Sequence, residues 1–269
     1  MKNLKYKNID VFYKAYGKPG NPALVLLHGY LESMETWKNF AGKLQDEFYV
    51  ITPDLPGHGL SGVFSNIHTM EELAETVKMI IDQLNIQKMH LIGHSMGGYV
   101  VLAFKELFPQ NLLSFTLFHS HCFADPDEKK INRDRDIDMI NSGKKELIVK
   151  NHVQKVFADI NQDKFLKEKL QTKKIGMKTP DKGIIAVLNG LKNRVDRSHI
   201  LMEGDIPGLL ITGVRDNFIP ESVNDKIISF SKNLIRADLE NSGHMGLIEE
   251  EDKSVEILKQ FLSQTTASQ

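Results

Sequence analysis

With one cysteine in 269 residues, Cys122, the chain can form no internal disulfide, and it suits a reducing compartment. No stretch approaches the roughly 18 uncharged apolar residues of a membrane span, so no membrane partner is expected. Net charge is also nearly absent. The 34 Lys and Arg residues against 35 Asp and Glu leave a formal charge of −1, which supplies no global field to draw nucleic acid, although a net value averages local patches away. The opening MKNLKYKNIDVFYKAYG contains neither a continuous apolar run nor a small-residue cleavage site, and a cytoplasmic location is the expectation. Missing too are the G-x-x-x-x-G-K-[ST] phosphate loop and a dinucleotide fingerprint after the first strand, which weighs against a nucleotide-binding domain.

What remains is ordinary for a globular chain, 41% hydrophobic and 26% charged, and long enough for one large α/β unit. Short alternating strands are predicted on either side of Asn8, ending at Gly17. Ala23–Leu27 and Tyr49–Thr52 are continuous apolar runs of strand length, suited to parallel strands covered on both faces. Thr69, three residues before Glu72, predicts a capping box opening a helix whose apolar stripe is Leu73, Val77, Ile80, Ile81 and Leu84. A strand at Met89–Ile92, a helix ending before Pro109 and a strand at Leu113–Phe118 continue the alternation. This order argues for βαβ units around a mostly parallel sheet.

From about Ala124 the texture changes. Apolar residues recur at spacings of three and four among dense charge, and Thr179-Pro180-Asp181 reads as a helix start with proline in its first position. Residues 124–197 are expected to be an all-helical insertion, dividing a core of 1–123 and 198–269. Strands resume near Leu209–Thr212 and Leu234–Asp238, with a helix between them from about Glu221. An amphipathic helix with Val255, Leu258, Phe261 and Leu262 follows, and SQTTASQ is expected to fray.

Gly93-His94-Ser95-Met96-Gly97 matches the G-x-S-x-G nucleophile elbow, here between an apolar strand and the helical run YVVLAF. A serine cramped between strand and helix needs glycines two positions away on either side, because side chains there would strike neighbouring backbone. The turn lifts Oγ beyond the sheet edge, and the helix behind it aims N–H groups toward developing negative charge. A serine hydroxyl needs an adjacent base. Of ten histidines, His244 in the loop NSGHMG is the strongest candidate, its alternative being a loop-fixing role. Asp216 in GVRDNFIP would orient that imidazole or would cap its own loop; Asp205 and Asp238 are weaker substitutes.

LVLLHGY at 24–30, DLPGHG at 54–59, LIGHSMGGYV at 91–100, TGVRDNFIP at 212–220 and SGHMG at 242–246 together resemble the α/β-hydrolase superfamily. The likeness is to its small bacterial carboxylesterase-like members with a lid. The resemblance implies an α/β-hydrolase fold with a helical cap over 124–197. It assigns Ser95 as nucleophile, Asp216 as acid and His244 as base, the family's chain order. It further implies an oxyanion loop at His28-Gly29-Tyr30, with the Tyr30 and Met96 N–H groups as donors. Serine at position 95 sets the chain apart from relatives with an aspartate nucleophile.

His28, His94, His119, His121 and Met245 are candidates for a substrate pocket. Packing is the stronger expectation for His94, support of the oxyanion loop for His28, and pocket wall and packing weigh equally for Met96 and Met245. Asp54 and His58 are expected in a structural hydrogen-bond network, and Trp37 as a buried anchor. The charges of the insertion alternate in sign, as on a solvated face. The expected chemistry is hydrolysis of carboxylic esters of small to medium, partly apolar substrates through an acyl-enzyme, with no metal or organic cofactor. A lactonase, thioesterase, amidase, perhydrolase or carbon–carbon hydrolase would use the same groups, and a non-catalytic ligand-binding protein on the same scaffold is the alternative of a different class.

Overall fold

In the computed structural model, which describes residues 1–204 and 206–267, the apolar runs become strands of one sheet. Lys2–Tyr6 (β1) and Ile9–Tyr16 (β2) form the opening hairpin, which turns through Lys7 and Asn8 at positive φ. Ala23–Leu27 (β3), Tyr49–Pro53 (β4), Met89–His94 (β5), Leu112–Phe118 (β6), Gly208–Gly213 (β7) and Leu234–Leu239 (β8) complete the sheet. Its order is β1-β2-β4-β3-β5-β6-β7-β8. The β2–β4 pairing is antiparallel, and every pairing from β4 to β8 is parallel.

Parallel neighbours require crossovers, and helices supply them. Lys38–Leu44 (α1), Met70–Gln83 (α2) and Met96–Leu107 (α3) lie among the first strands. Between β6 and β7 come Asp127–Asn141 (α4), Lys145–Val156 (α5), Leu166–Lys178 (α6), Asp181–Asn193 (α7) and the short Ser198–Met202 (α8), with no strand among them. Glu221–Phe230 (α9), Gly246–Glu249 (α10) and Glu251–Ala267 (α11) end the described chain. None of these helices is long and apolar enough to cross a membrane.

The two-residue period of β3 divides the core. Val25 and Leu27 join a cluster with Val77, Val100 and Phe104, while Leu24 and Leu26 join one with Phe40, Leu258 and Leu262 on the opposite face. Each such side chain contributes about 1.5–3 kcal/mol when fully buried. Trp37 is fully buried in the second cluster, the anchor its sequence suggests. The helices between β6 and β7 have a smaller core of Ile140, Val149, Val153, Ile184 and Leu188, into which Leu31 projects. At their neck the Arg197 N–H donates to Cys122 O (2.8 Å), and the Arg197 guanidinium pairs with Glu71 and Glu106.

Three local expectations change. Pro180 occupies the N-cap of α7 rather than its first helical position, since its extended backbone ends the preceding turn. The chain does not fray from Ser263: α11 continues to Ala267, with Thr265 buried and its Oγ1 donating to Leu262 O at 3.0 Å. No hydrogen bond joins Asp54 to His58; Asp54 accepts from the N–H groups of Met34 (2.7 Å) and Leu60 (2.8 Å), and His58 packs edge-on against His28. Ser268, Gln269 and the substitute acid Asp205 lie outside the described residues.

The capping box forms as its spacing predicts. Thr69 Oγ1 accepts from Glu72 N–H, and the Glu72 carboxylate accepts from Thr69 N–H, each at 3.2 Å. Replacing Thr69 with alanine removes both the acceptor and the reciprocal geometry, and should cost about 1 kcal/mol. Urea unfolding at neutral pH measures this; an unchanged midpoint would mean that the cap adds nothing.

Candidate active site

The sheet brings the ends of β3, β5, β6 and β7 together, and Ser95 sits where β5 passes into α3. Its backbone is held at φ 50, ψ −114, in the strained region that side chains rarely adopt. Gly93 and Gly97 make this turn possible. A Cβ on Gly93 would collide with the Gly97 carbonyl, and one on Gly97 would lie 2.6 Å from Leu27 O. The glycines therefore let α3 seat against the end of β3.

His244 reaches Ser95 from the loop after β8. Its Nε2 lies 2.8 Å from Ser95 Oγ and its Nδ1 lies 2.7 Å from Asp216 Oδ2. A carboxylate only accepts, so Nδ1 carries the proton and Nε2 is left to accept from the serine hydroxyl. Asp216 does both things considered for it: Oδ1 takes the N–H groups of Phe218 (2.7 Å) and Ile219 (3.2 Å), while Oδ2 holds the imidazole. Burial pushes the Asp216 carboxyl up, but His244 and these donors outweigh it and hold it at about 2. Asp238 is occupied elsewhere, by Thr212 and Arg236.

The loop after β3 is tied through Glu32 to His94, the residue before that serine. Gly29 N–H donates to Glu32 Oε2 (2.9 Å) and Glu32 N–H returns to Gly29 O (3.4 Å). Among the described residues neither Tyr30 N–H nor Met96 N–H donates to a protein group; Met96, first in α3, has no acceptor within its helix. Leu31 turns the loop at positive φ.

The five pocket candidates are interior residues. His28 donates from Nδ1 to Gly29 O (2.8 Å) and accepts Leu55 N–H at Nε2 (3.0 Å), bracing the loop. Both nitrogens of His94 face acceptors, Glu32 at 2.9 Å and His244 O at 2.7 Å, so both carry protons and the ring is an imidazolium. Burial pulls His94 down, yet the Glu32 carboxylate raises it overall; Glu32 is lowered in turn, its burial outweighed by His94. His119 Nε2 accepts Gly246 N–H (3.0 Å), which places the proton on Nδ1, 3.6 Å from Asp216. His121 Nδ1 accepts Phe123 N–H (3.2 Å) and its Nε2 donates to Tyr99 Oη (3.0 Å). Met245 is fully buried against Val156 and Phe157. These side chains shape the site from behind, and the histidines' ring nitrogens bond to the protein except for His119 Nδ1, which has no hydrogen-bond partner among the described residues.

Sequence reasoning passed over four neighbours. Glu32 is one. Phe218 packs on His244 with centroids 5.0 Å apart, His152 packs on Phe218 at 5.7 Å, and the Tyr30 ring meets His152 edge-on at 5.5 Å. Tyr99, one turn after Ser95, lies under the Arg194 guanidinium at 4.1 Å. The helical spacing from Ser95 to Tyr99 was the available signal; nothing local marks His152.

A family model described as the alpha/beta hydrolase fold matches residues 22–251. The chain belongs to that family. Among curated proteins it is 32% identical over 215 residues to the dihydrolipoyllysine-residue acetyltransferase component of the acetoin cleaving system of Pseudomonas putida, covering 78% of this chain and 56% of that one. The chain thus matches little more than half the length of this relative. The uncharacterized hydrolase YugF of Bacillus subtilis is 26% identical, with 88% of each chain covered. Among solved structures, a thermophilic esterase from Thermogutta terrifontis superposes with a TM-score of 0.93 at 24% identity, covering 98% of this chain and 99% of that one. Membership in the alpha/beta hydrolase family supports a hydrolase, and the fold is that of the family.

Burial lowers seven histidines, among them His90 and His152 to about 4 and His121 to about 3. A histidine whose folded pKa lies below its unfolded value contributes no penalty above about pH 6.5. It destabilises progressively as pH falls from there through the folded pKa. His94 has the opposite sign, its contribution present below about 6.5 and lost as pH rises through its raised value. Because the lowered set is larger, the thermal midpoint should fall by more than about 5 °C between pH 7.5 and 4.5. Differential scanning calorimetry across that range tests it, and a flat profile would contradict it.

Proposed function

We propose that the chain is a serine hydrolase of carboxylic esters, with Ser95 as nucleophile, His244 as general base and then acid, and Asp216 as the group that fixes and stabilises the imidazole. The observation that carries the reading is the unbroken run from Asp216 Oδ2 through both nitrogens of His244 to Ser95 Oγ, at 2.7 and 2.8 Å. His244 Nε2 takes the hydroxyl proton as Oγ attacks the ester carbonyl. Negative charge gathers on the former carbonyl oxygen, where the free N–H groups of Tyr30 and Met96 receive it. The new imidazolium is stabilised by Asp216 and protonates the departing alkoxide, leaving an ester on Ser95. Water, deprotonated by His244, then attacks that ester, and the collapse releases the acid and returns the proton to Oγ.

In this reading residues 124–197 are a cap over a core of 1–123 and 198–269. The cap supplies His152, which packs against the core residues Tyr30 and Phe218 beside His244, and the expected substrates are esters of small to medium, partly apolar acyl groups.

A fluorophosphonate should label the folded protein at Ser95, read by mass spectrometry of the peptide. Ser95→Ala should abolish labelling and lower kcat on a short acyl ester by about 10⁴-fold or more. Asp216→Asn, which retains a side chain of the same shape, should lower kcat by about 10⁴-fold. Retention of turnover in Ser95→Ala with its circular dichroism unchanged would refute the assignment.

A further inference from the structure

The formal charge of −1 conceals a strong local excess. Residues 144–178 hold ten lysines and no arginine against four acidic residues. The alternation of signs expected for the whole insertion holds in α4, where Asp127, Glu128, Lys129 and Lys130 lead into Arg133-Asp134-Arg135-Asp136. It does not hold in α5 and α6.

On α6 the buried positions are Thr172, Ile175 and Gly176. The opposite side carries Leu166, Leu170 and Met177 at spacings of four and seven, which places them in one stripe. Leu170 is 69% exposed and Leu166 58% exposed. Lys173 fills the gap in the stripe and pairs at 2.8 Å with Glu146, the residue before the exposed Leu147 at the start of α5. Lys167, Lys174 and Lys178 follow the other flank and make no ion pair among the described residues.

We propose that this face of α6, with the start of α5, docks reversibly on an anionic phospholipid surface. An aqueous face gains nothing from a row of exposed leucines, whereas a lipid interface takes up both halves of the pattern. The apolar stripe enters the acyl boundary, and the lysine stems lie along it with their ammonium groups at the phosphates. Nucleic acid fits the face less well, because residues 144–178 contain no arginine, tyrosine or tryptophan and the leucines would meet no partner there. A second copy related by a two-fold axis would set lysines against lysines. The proposal is independent of the chemistry assigned to Ser95.

Co-sedimentation with vesicles of phosphatidylcholine mixed with phosphatidylglycerol, against vesicles of phosphatidylcholine alone, tests it. The full chain should bind the mixed vesicles only, and affinity should drop by about tenfold or more from low to high salt. The pairs Leu166→Ser with Leu170→Ser and Lys167→Glu with Lys174→Glu should each weaken binding by about tenfold or more. Circular dichroism and thermal unfolding identical to the parent chain establish that these surface variants fold. Failure to bind the mixed vesicles at low salt overturns the proposal, as does binding by both variant pairs that equals that of the parent chain. A dimer in light scattering that Leu170→Ser dissolves would assign the stripe to a second copy instead. RNA binding abolished by the Lys→Glu pair and untouched by the Leu→Ser pair, without vesicle binding, would assign the lysines to nucleic acid.

Discussion

The imidazolium of His94 stands between two loops that come from opposite ends of the sequence. Through Nδ1 it holds Glu32, which in turn grips the Gly29 N–H, and through Nε2 it holds the carbonyl of His244. Each bond adds to the restraints that hold these segments, alongside His28 on Gly29 O and the His244 N–H on Val156 O. A charged ring is required because both facing atoms are acceptors, and a charged ring without solvent is tolerable only beside an anion. Glu32 is that anion. The buried Glu32–His94 ion pair thus ties the loop of Tyr30 to the loop of His244, with the elbow glycines setting how closely α3 approaches from below.

The parts of this arrangement that sequence could disclose are those whose cause is local. Ser95 was legible because the elbow needs glycine at 93 and 97 for reasons internal to five residues. The capping box at Thr69, the apolar run of β3 and the loop positions of Asp216 and His244 were legible for the same reason. The roles of the remaining histidines were legible only in outline, the loop support by His28 being one that could be read and the bonding partners of the others not. Whether a ring nitrogen donates or accepts depends on what lies opposite, and for each of His28, His94, His119 and His121 at least one partner lies more than twenty residues away along the chain. Packing was the stronger expectation for His94 despite its place beside Ser95, and its two bonds make it part of the frame. Glu32 carried no local mark, because a carboxylate in a loop normally faces water.

Burial also explains where expectation and structure part at the chain's end. SQTTASQ is polar by composition, yet Thr265 is buried and its hydroxyl is satisfied within its own helix. Similarly, averaging charge over the insertion hid a contrast between neighbouring helices. α4 interleaves acids with bases, while α5 and α6 do not, and only the exposure of Leu166 and Leu170 reveals which side of α6 the lysines frame.

The hydrogen bond from Arg197 to Cys122 has a consequence for engineering. The helices between β6 and β7 leave and rejoin the sheet at almost one point, and Arg197 bolts that point to α2 and α3 through Glu71 and Glu106. A segment that departs and returns through a single doorway can be exchanged without altering how far the sheet's ends must reach. Grafting another helical module between positions 122 and 197 would therefore leave Ser95, Asp216 and His244 on the same framework, while replacing the walls that surround them.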